Sequence, residues 1–135
     1  MAGERTVTAR WDGGLRAVVT AGEFEIVVDE PESVPGGTNK GPQPTEVFLA
    51  SIASCFTIAM AYSAAERGVE LSGLDVEVTG TYDGPRFSAV RVAVRAAAPR
   101  GDELAKLITA AKRVCYVTRT LAGSPEIEFV ATSRA

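Results

Sequence analysis

From Val47 to Tyr62 the only polar side chains are Ser51, Ser54 and Thr57, and neither Gly nor Pro interrupts the run. An unbroken apolar stretch of this length predicts a helix rather than a strand. Thr45 is the expected cap, with Pro44 just outside it and Glu46 at the positive end of the helix dipole. Gly68, after Glu66-Arg67, suits a left-handed C-cap, so the helix is expected over residues 45–67. A helix that is apolar on every side must be buried on every side or lie in a membrane. The apolar run is shorter than the roughly 20 residues of a bilayer crossing, so no membrane partner is expected. A small domain cannot easily surround such a helix alone, so a second copy of the chain is expected to cover part of it.

The flanking patterns place this helix in an α+β fold. With 135 residues the chain is about one domain, 1–135, large enough to fold without a staple. Residues 6–11, 15–20 and 24–28 read as a three-stranded meander, with turns at Asp12-Gly13-Gly14 and Ala21-Gly22-Glu23. Residues 31–44 hold four prolines and three glycines and form a loop. Leu74 to Tyr82 and Phe87 to Ala97 alternate with period two around an Asp83-Gly84-Pro85-Arg86 turn. A second helix is expected from about Asp102 to Arg113, then a turn from Arg119 to Pro125 and a last strand around Glu126 to Ala131. The predicted order is βββ-α-ββ-α-β, with helices packed on antiparallel sheet.

Composition removes whole classes of chemistry. The chain has no histidine, which excludes a Ser-His-Asp triad, a Cys-His dyad and any His-ligated metal. Two cysteines, Cys55 and Cys115, are too few for a structural zinc site, and their spacing is not a C-x-x-C motif. A net charge of −3 gives no basic surface for nucleic acid. Gly13-Gly14 and Gly36-Gly37 lack the strand–loop–helix setting of a nucleotide site. Arg91 and Arg95 read as a solvated strand face paired with Glu77 or Asp75. MAGERTVTARW contains no apolar signal region, so the expected compartment is the reducing cytoplasm.

In that compartment the two cysteines are either inert packing or redox chemistry. Free cysteine packs as a small hydrophobe, and both residues lie on apolar helical stretches, which favours packing on pattern alone. A redox role needs a thiolate. Cys55 lies too deep in its helix to draw on the dipole, so a cation from another element must stabilise it. Arg10, Arg16, Lys40 and Arg119 are the candidates. A redox couple with Cys115 would need a Cα separation below about 7 Å.

Two motifs carry a resemblance. The segment Gly41-Pro42-Gln43-Pro44-Thr45-Glu46, running on to Ser54-Cys55, resembles the OsmC/Ohr family pattern. There, a Gly-x-x-Pro loop opens a long apolar helix with the reactive cysteine eleven residues after the proline. Cys115-Tyr116-Val117-Thr118-Arg119-Thr120-Leu121 resembles the family's Cys-Pro-Val-x-Arg-Thr-Leu. Trp11-Asp12-Gly13-Gly14 and the Gly36-Gly37 loop fit the same layout, so the likeness spans nearly the whole chain.

The resemblance implies an OsmC-like intertwined homodimer, with antiparallel sheets around long buried central helices. It also implies a cysteine peroxidase acting on organic hydroperoxides in oxidative stress defence. Cys55 would be the peroxidatic thiolate, Cys115 the resolving thiol, and a dithiol, in the family often a lipoyl protein, the reductant. No metal, flavin or haem cofactor is implied. An arginine near the N-terminus would face the thiolate, Arg16 first and Arg10 second. Two positions depart from the pattern. Thr45 stands where active hydroperoxide reductases carry a glutamate, and Glu46 follows one place later, about 100° around the helix; Glu46 is the candidate for the glutamate's role. Tyr116 replaces the family proline. The alternative is a non-enzymatic dimer of the same fold that binds a small apolar ligand at its interface pocket.

Overall fold

The structure is a computed structural model that describes residues 3–134. Its elements, in chain order, are β1 (Thr8–Trp11), β2 (Ala17–Ala21), β3 (Phe24–Val28), α1 (Pro44–Arg67), β4 (Asp75–Tyr82), β5 (Phe87–Arg95), α2 (Gly101–Val114) and α3 (Tyr116–Ala122). The chain forms two compact units, Met1–Ala50 and Ser51–Ala135. Helix α1 begins in the first and runs on into the second.

The first unit is the expected meander. The three strands pair antiparallel in the order β1-β2-β3, with Ala9 opposite Val19 and Val18 opposite Val27. Gly13 and Gly14 both take positive φ, 91° and 55°, in the β1–β2 turn, a conformation that only glycine adopts without strain. Residues 29–43 then fold around one buried carboxylate. Asp29 is 1% exposed and accepts hydrogen bonds from the N–H groups of Glu30 (2.7 Å), Lys40 (3.1 Å) and Thr38 (3.4 Å), and from the Thr38 hydroxyl. Buried carboxylates need such partners. The Thr38 hydroxyl, with the three N–H groups, outweighs burial and holds the Asp29 pKa down at about 2.

The second unit packs α1 and α2 with the β4–β5 hairpin. The strands are antiparallel, with Val76 opposite Val94 and Val78 opposite Val92. Phe56, Ala59, Met60 and Ala64 of α1, Leu107 and Ala111 of α2, and Cys115 form the core. Val76, Val92, Val94, Leu104 and Ile108 pack against it. The exposed strand positions carry the charges, and Arg95 pairs with Asp75 at 3.8 Å, as the solvated-face reading expects. In α2, Asp102 and Glu103 lie in the first turn and Lys112 and Arg113 in the last, matching the helix dipole.

Five expectations change. Helix α1 starts at Pro44, not Thr45, because proline at the first helical position lacks an N–H that would go unpaired anyway. Helix α2 starts at Gly101, with Arg100 rather than Asp102 at its cap position. Residues 116–122 form a helix that takes up the first part of the expected 119–125 turn, and residues 124–134 carry no strand. A strand needs a neighbour for its backbone hydrogen bonds, and this segment is exposed throughout, Phe129 at 95%. Finally, α1 is buried along one stripe only, Ile52, Phe56, Ala59, Met60, Ser63 and Ala64, while Ile58 is 68% exposed. Its full 24 residues reach the length of a bilayer crossing, yet that stripe lies in protein core.

Candidate functional site

Cys55 and Cys115 meet inside the second unit. Cys55 faces outward from the α1 stripe and is half-buried; Cys115 is fully buried. Cys55 packs against the buried cluster that contains Cys115, and its thiol is among the groups that lower the Cys115 pKa.

Backbone geometry fixes Cys115. It lies between α2 and α3 in an extended conformation, φ −81° and ψ 104°, and ends one helix while starting the next. Its N–H donates to Ala111 O at 3.1 Å, and its carbonyl accepts from the Arg119 N–H at 3.1 Å. With both backbone groups held, Cys115 stays in place although Tyr116 replaces the family proline. Tyr116 opens α3 and is exposed.

The acidified thiol is Cys115. Burial pushes its pKa up, but the Thr118 hydroxyl and N–H, the Cys55 thiol and the Val117 N–H outweigh burial and hold it below the usual range. The Val117 and Thr118 N–H groups face the sulfur at the start of α3 without closing a regular capping hydrogen bond. Thr118 was not among the residues singled out from sequence. Its one signal there is its spacing, three residues after Cys115, which a helix starting at Tyr116 turns back toward that cysteine.

A cavity of about 550 Å³ opens beside the pair, lined by Cys55, Ile58, Ala59, Tyr62, Arg113, Val114, Tyr116 and Arg119. Residues 55, 58, 59 and 62 recur at the 3–4 spacing of one helix face. The lining is apolar apart from a thiol, two phenols and two guanidinium groups. Of the four cations weighed from sequence, Arg119 is the one that lines this cavity with Cys55.

The other candidate residues lie in the first unit. Arg16 donates from Nε to Asp12 Oδ2 at 3.0 Å, from Nη1 to Thr38 Oγ1 at 2.9 Å, and from Nη2 to the Asp12 carbonyl at 3.2 Å. Arg10 reaches the other Asp12 oxygen at 3.3 Å. The hydrogen bond from Arg16, helped by Arg10, overcomes burial and lowers the Asp12 pKa. Glu46 accepts from the Gln43 N–H at 2.9 Å, the return half of a capping box on α1, and its carboxylate is exposed.

Comparison with known proteins gives a family and a fold. The family model described as OsmC-like protein matches residues 37–130. An OsmC-like protein from Mycoplasma pneumoniae superposes with a TM-score of 0.74 at 21% identity, over 91% of this chain and 90% of that one. An organic hydroperoxide resistance protein from Elizabethkingia anophelis, solved with thiocyanate bound, gives 0.63 at 25% identity, over 89% and 91%. The Legionella pneumophila organic hydroperoxide resistance protein OsmC gives 0.66 at 17% identity, over 91% and 92%. No curated protein matches. The expected α+β, OsmC-like fold is therefore the observed one. The matched segment holds both cysteines, the Gly-x-x-Pro loop and the cavity, and on it the chain belongs to the OsmC-like protein family.

Proposed function

We propose that the protein is a Cys55-dependent peroxidase that reduces organic hydroperoxides, with Cys115 as the resolving thiol. The observation that carries this reading is the packing of two thiols sixty positions apart into one cluster, one on a cavity and one buried. The thiolate is the reactive form of cysteine, so Cys55 reacts in that form. Only Cys55 lines the cavity, so it meets the peroxide. Its sulfur attacks the terminal peroxide oxygen, the O–O bond breaks, an alcohol leaves, and Cys55 becomes a sulfenic acid. Cys115 then displaces hydroxide from that sulfur to give the disulfide, and a dithiol reductant, in keeping with the resemblance a lipoyl-bearing protein, restores both thiols by exchange. The apolar walls of Ile58, Ala59 and Val114 favour an organic peroxide over hydrogen peroxide. Arg16 is assigned the role of thiolate stabiliser and Glu46 that of a supporting carboxylate by the resemblance alone. We also assign the chain to a homodimer, because α1 leaves Ile58 and Tyr62 exposed.

The test is cumene hydroperoxide at equimolar dose, followed by mass analysis of both thiols. Unmodified protein should yield an intramolecular Cys55–Cys115 disulfide. Cys115→Ser should react once, stop at the sulfenic acid, and pass to sulfinic acid in excess peroxide. Cys55→Ser should not react, because the remaining thiol is buried. Equal rates for Cys55→Ser and the unmodified protein would end the peroxidase reading and leave a binding module.

A further inference from the structure

We propose that a second cavity in the same unit binds an alkyl carboxylate, with Lys112 and Arg119 on the carboxylate and the chain on apolar walls. This cavity shares Arg119 with the Cys55 cavity but is lined by neither cysteine. It takes no part in thiol chemistry and stands whether or not Cys55 reduces peroxides.

Local periodicity builds the site. Val92 and Val94 are two apart on β5 and share one face of the strand. Ile108 and Lys112 are four apart on α2 and share one side of that helix. Arg119 comes from α3, and Phe56 of α1 is the buried end of the lining. Together they enclose about 450 Å³, within the roughly 300–1,000 Å³ of small-molecule sites. Val92, Val94 and Ile108 pack against the core yet remain only half-buried. A hydrocarbon chain laid on them takes further apolar surface out of water.

Charge selects the head group. Lys112 and Arg119 stand in this lining, and no carboxylate does. The ion pairs of the described residues use Arg10, Arg16, Arg86 and Arg95, and among those residues neither Lys112 nor Arg119 has an ion-pair partner. An acid-free pair of cations makes a local attraction for anions on a chain of net charge −3. The guanidinium offers two parallel N–H donors that match a carboxylate, and the ammonium adds a point charge. Both cations are exposed, so the head group sits at the mouth and the chain runs toward Phe56. Thr118 is the one uncharged polar residue in the lining. A ligand with polar groups along its length would leave them unpaired, which favours a plain alkyl chain.

The probe is decanoate, titrated into the full chain by calorimetry below its micelle concentration. From hexanoate through octanoate to decanoate, affinity should rise by up to about fourfold per added methylene. Decanol, which keeps the chain and loses the charge, should bind at least about fivefold more weakly. Lys112→Gln keeps a good helix former at an exposed site, so it should leave the thermal midpoint in place and weaken decanoate about fivefold. Arg119→Gln should weaken it by a similar factor. Arg113 lines the Cys55 cavity and not this one, so Arg113→Gln should bind decanoate like the unmodified protein. Cys55→Ser should also bind it normally, which separates this result from the fate of the peroxidase reading. No binding at millimolar decanoate, an affinity independent of chain length, or equal binding of decanol would overturn the proposal. So would a loss in Arg113→Gln as large as that in Lys112→Gln, which would put the carboxylate in the Cys55 cavity.

Discussion

Arg16 donates to Thr38 at 2.9 Å, and the Thr38 hydroxyl in turn donates a hydrogen bond to the buried Asp29 carboxylate. A long, flexible cation is thereby tied to the most buried charge of the first unit. Asp12 holds it from the other side through Nε and Nη2. Three of its five N–H donors are engaged, and two have no partner among the described residues. A guanidinium held in this way gives up little side-chain freedom on meeting an anion. None of these hydrogen bonds involves Glu46.

The Asp29 anchor should be visible as a pH dependence. Its folded pKa, about 2, lies below the ordinary 3.8. Its contribution is therefore fully present above 3.8 and is lost as pH falls through about 2. Thermal midpoints measured across that acid range should fall with pH in the unmodified protein. Asp29→Asn should lower the neutral-pH midpoint and flatten that fall. If Arg16 serves the Cys55 thiolate, the same variant should also slow the first reaction with hydroperoxide. An unchanged acid profile in Asp29→Asn would remove Asp29 as the source.

The loop that opens α1 should be intolerant of any side chain at residue 41. A Cβ on Gly41 would run into the Val27 carbonyl, which is backbone and cannot swing aside. The φ of Gly41 is not in the left-handed region, so the constraint is space, not conformation. Gly41→Ala should cost about 1–3 kcal/mol, the usual range for overpacking, in urea unfolding. A loss under about 0.5 kcal/mol would show that the strand and loop separate readily there.

What the sequence disclosed follows from how local the signal was. Helix α1 was legible because its breakers, Gly41 and Gly68, lie outside a long run without one. The hairpin was legible because Val76, Val78, Val92 and Val94 alternate with Glu77, Thr79, Arg91 and Arg95. Helix α3 was not, since Tyr116-Val117-Thr118-Arg119-Thr120 is rich in β-branched residues that disfavour a helix. What holds it is local bonding that a propensity does not count: the Arg119 N–H to the Cys115 carbonyl and the Thr120 hydroxyl to Tyr116 O at 2.7 Å. The alternation of Glu126, Ile127, Glu128 and Phe129 read as a strand, but alternation supplies a face and not a neighbour to pair with. Cys55 was recognisable from its distance to Pro44. Its contact with Cys115 was not, because only the packing of α1 on α2 brings positions sixty apart together.

That packing makes Leu107 a direct probe of the site's support. It is 1% exposed in the cluster that also holds Cys115, Phe56 and Met60. Leu107→Ala should cost about 2–5 kcal/mol in urea unfolding, from lost transfer energy plus the cavity left behind. Closure of the Cys55–Cys115 disulfide should slow as well, since the cavity loosens α2 just before Cys115. A large stability loss with an unchanged closure rate would mean that the local bonds at residues 115–119 hold the sulfur without help from the core.

The exposed face of α1 yields the sharpest test of assembly. Within one chain Ile58 is 68% exposed, so a charge there should change folding by no more than about 0.5 kcal/mol. If a second copy covers α1, the same substitution puts a carboxylate into an apolar interface, where an unpaired charge is strongly disfavoured. Ile58→Asp should then weaken association by at least about tenfold, or 1.4 kcal/mol. Light scattering across a dilution series should show the unmodified protein at twice the chain mass and the variant shifting toward single chains. Because Ile58 also lines the Cys55 cavity, hydroperoxide turnover should fall together with the dimer fraction. An unmodified protein that scatters as a single chain at micromolar concentration would end the dimer assignment, and the apolar face of α1 would then be the protein's own exposed surface.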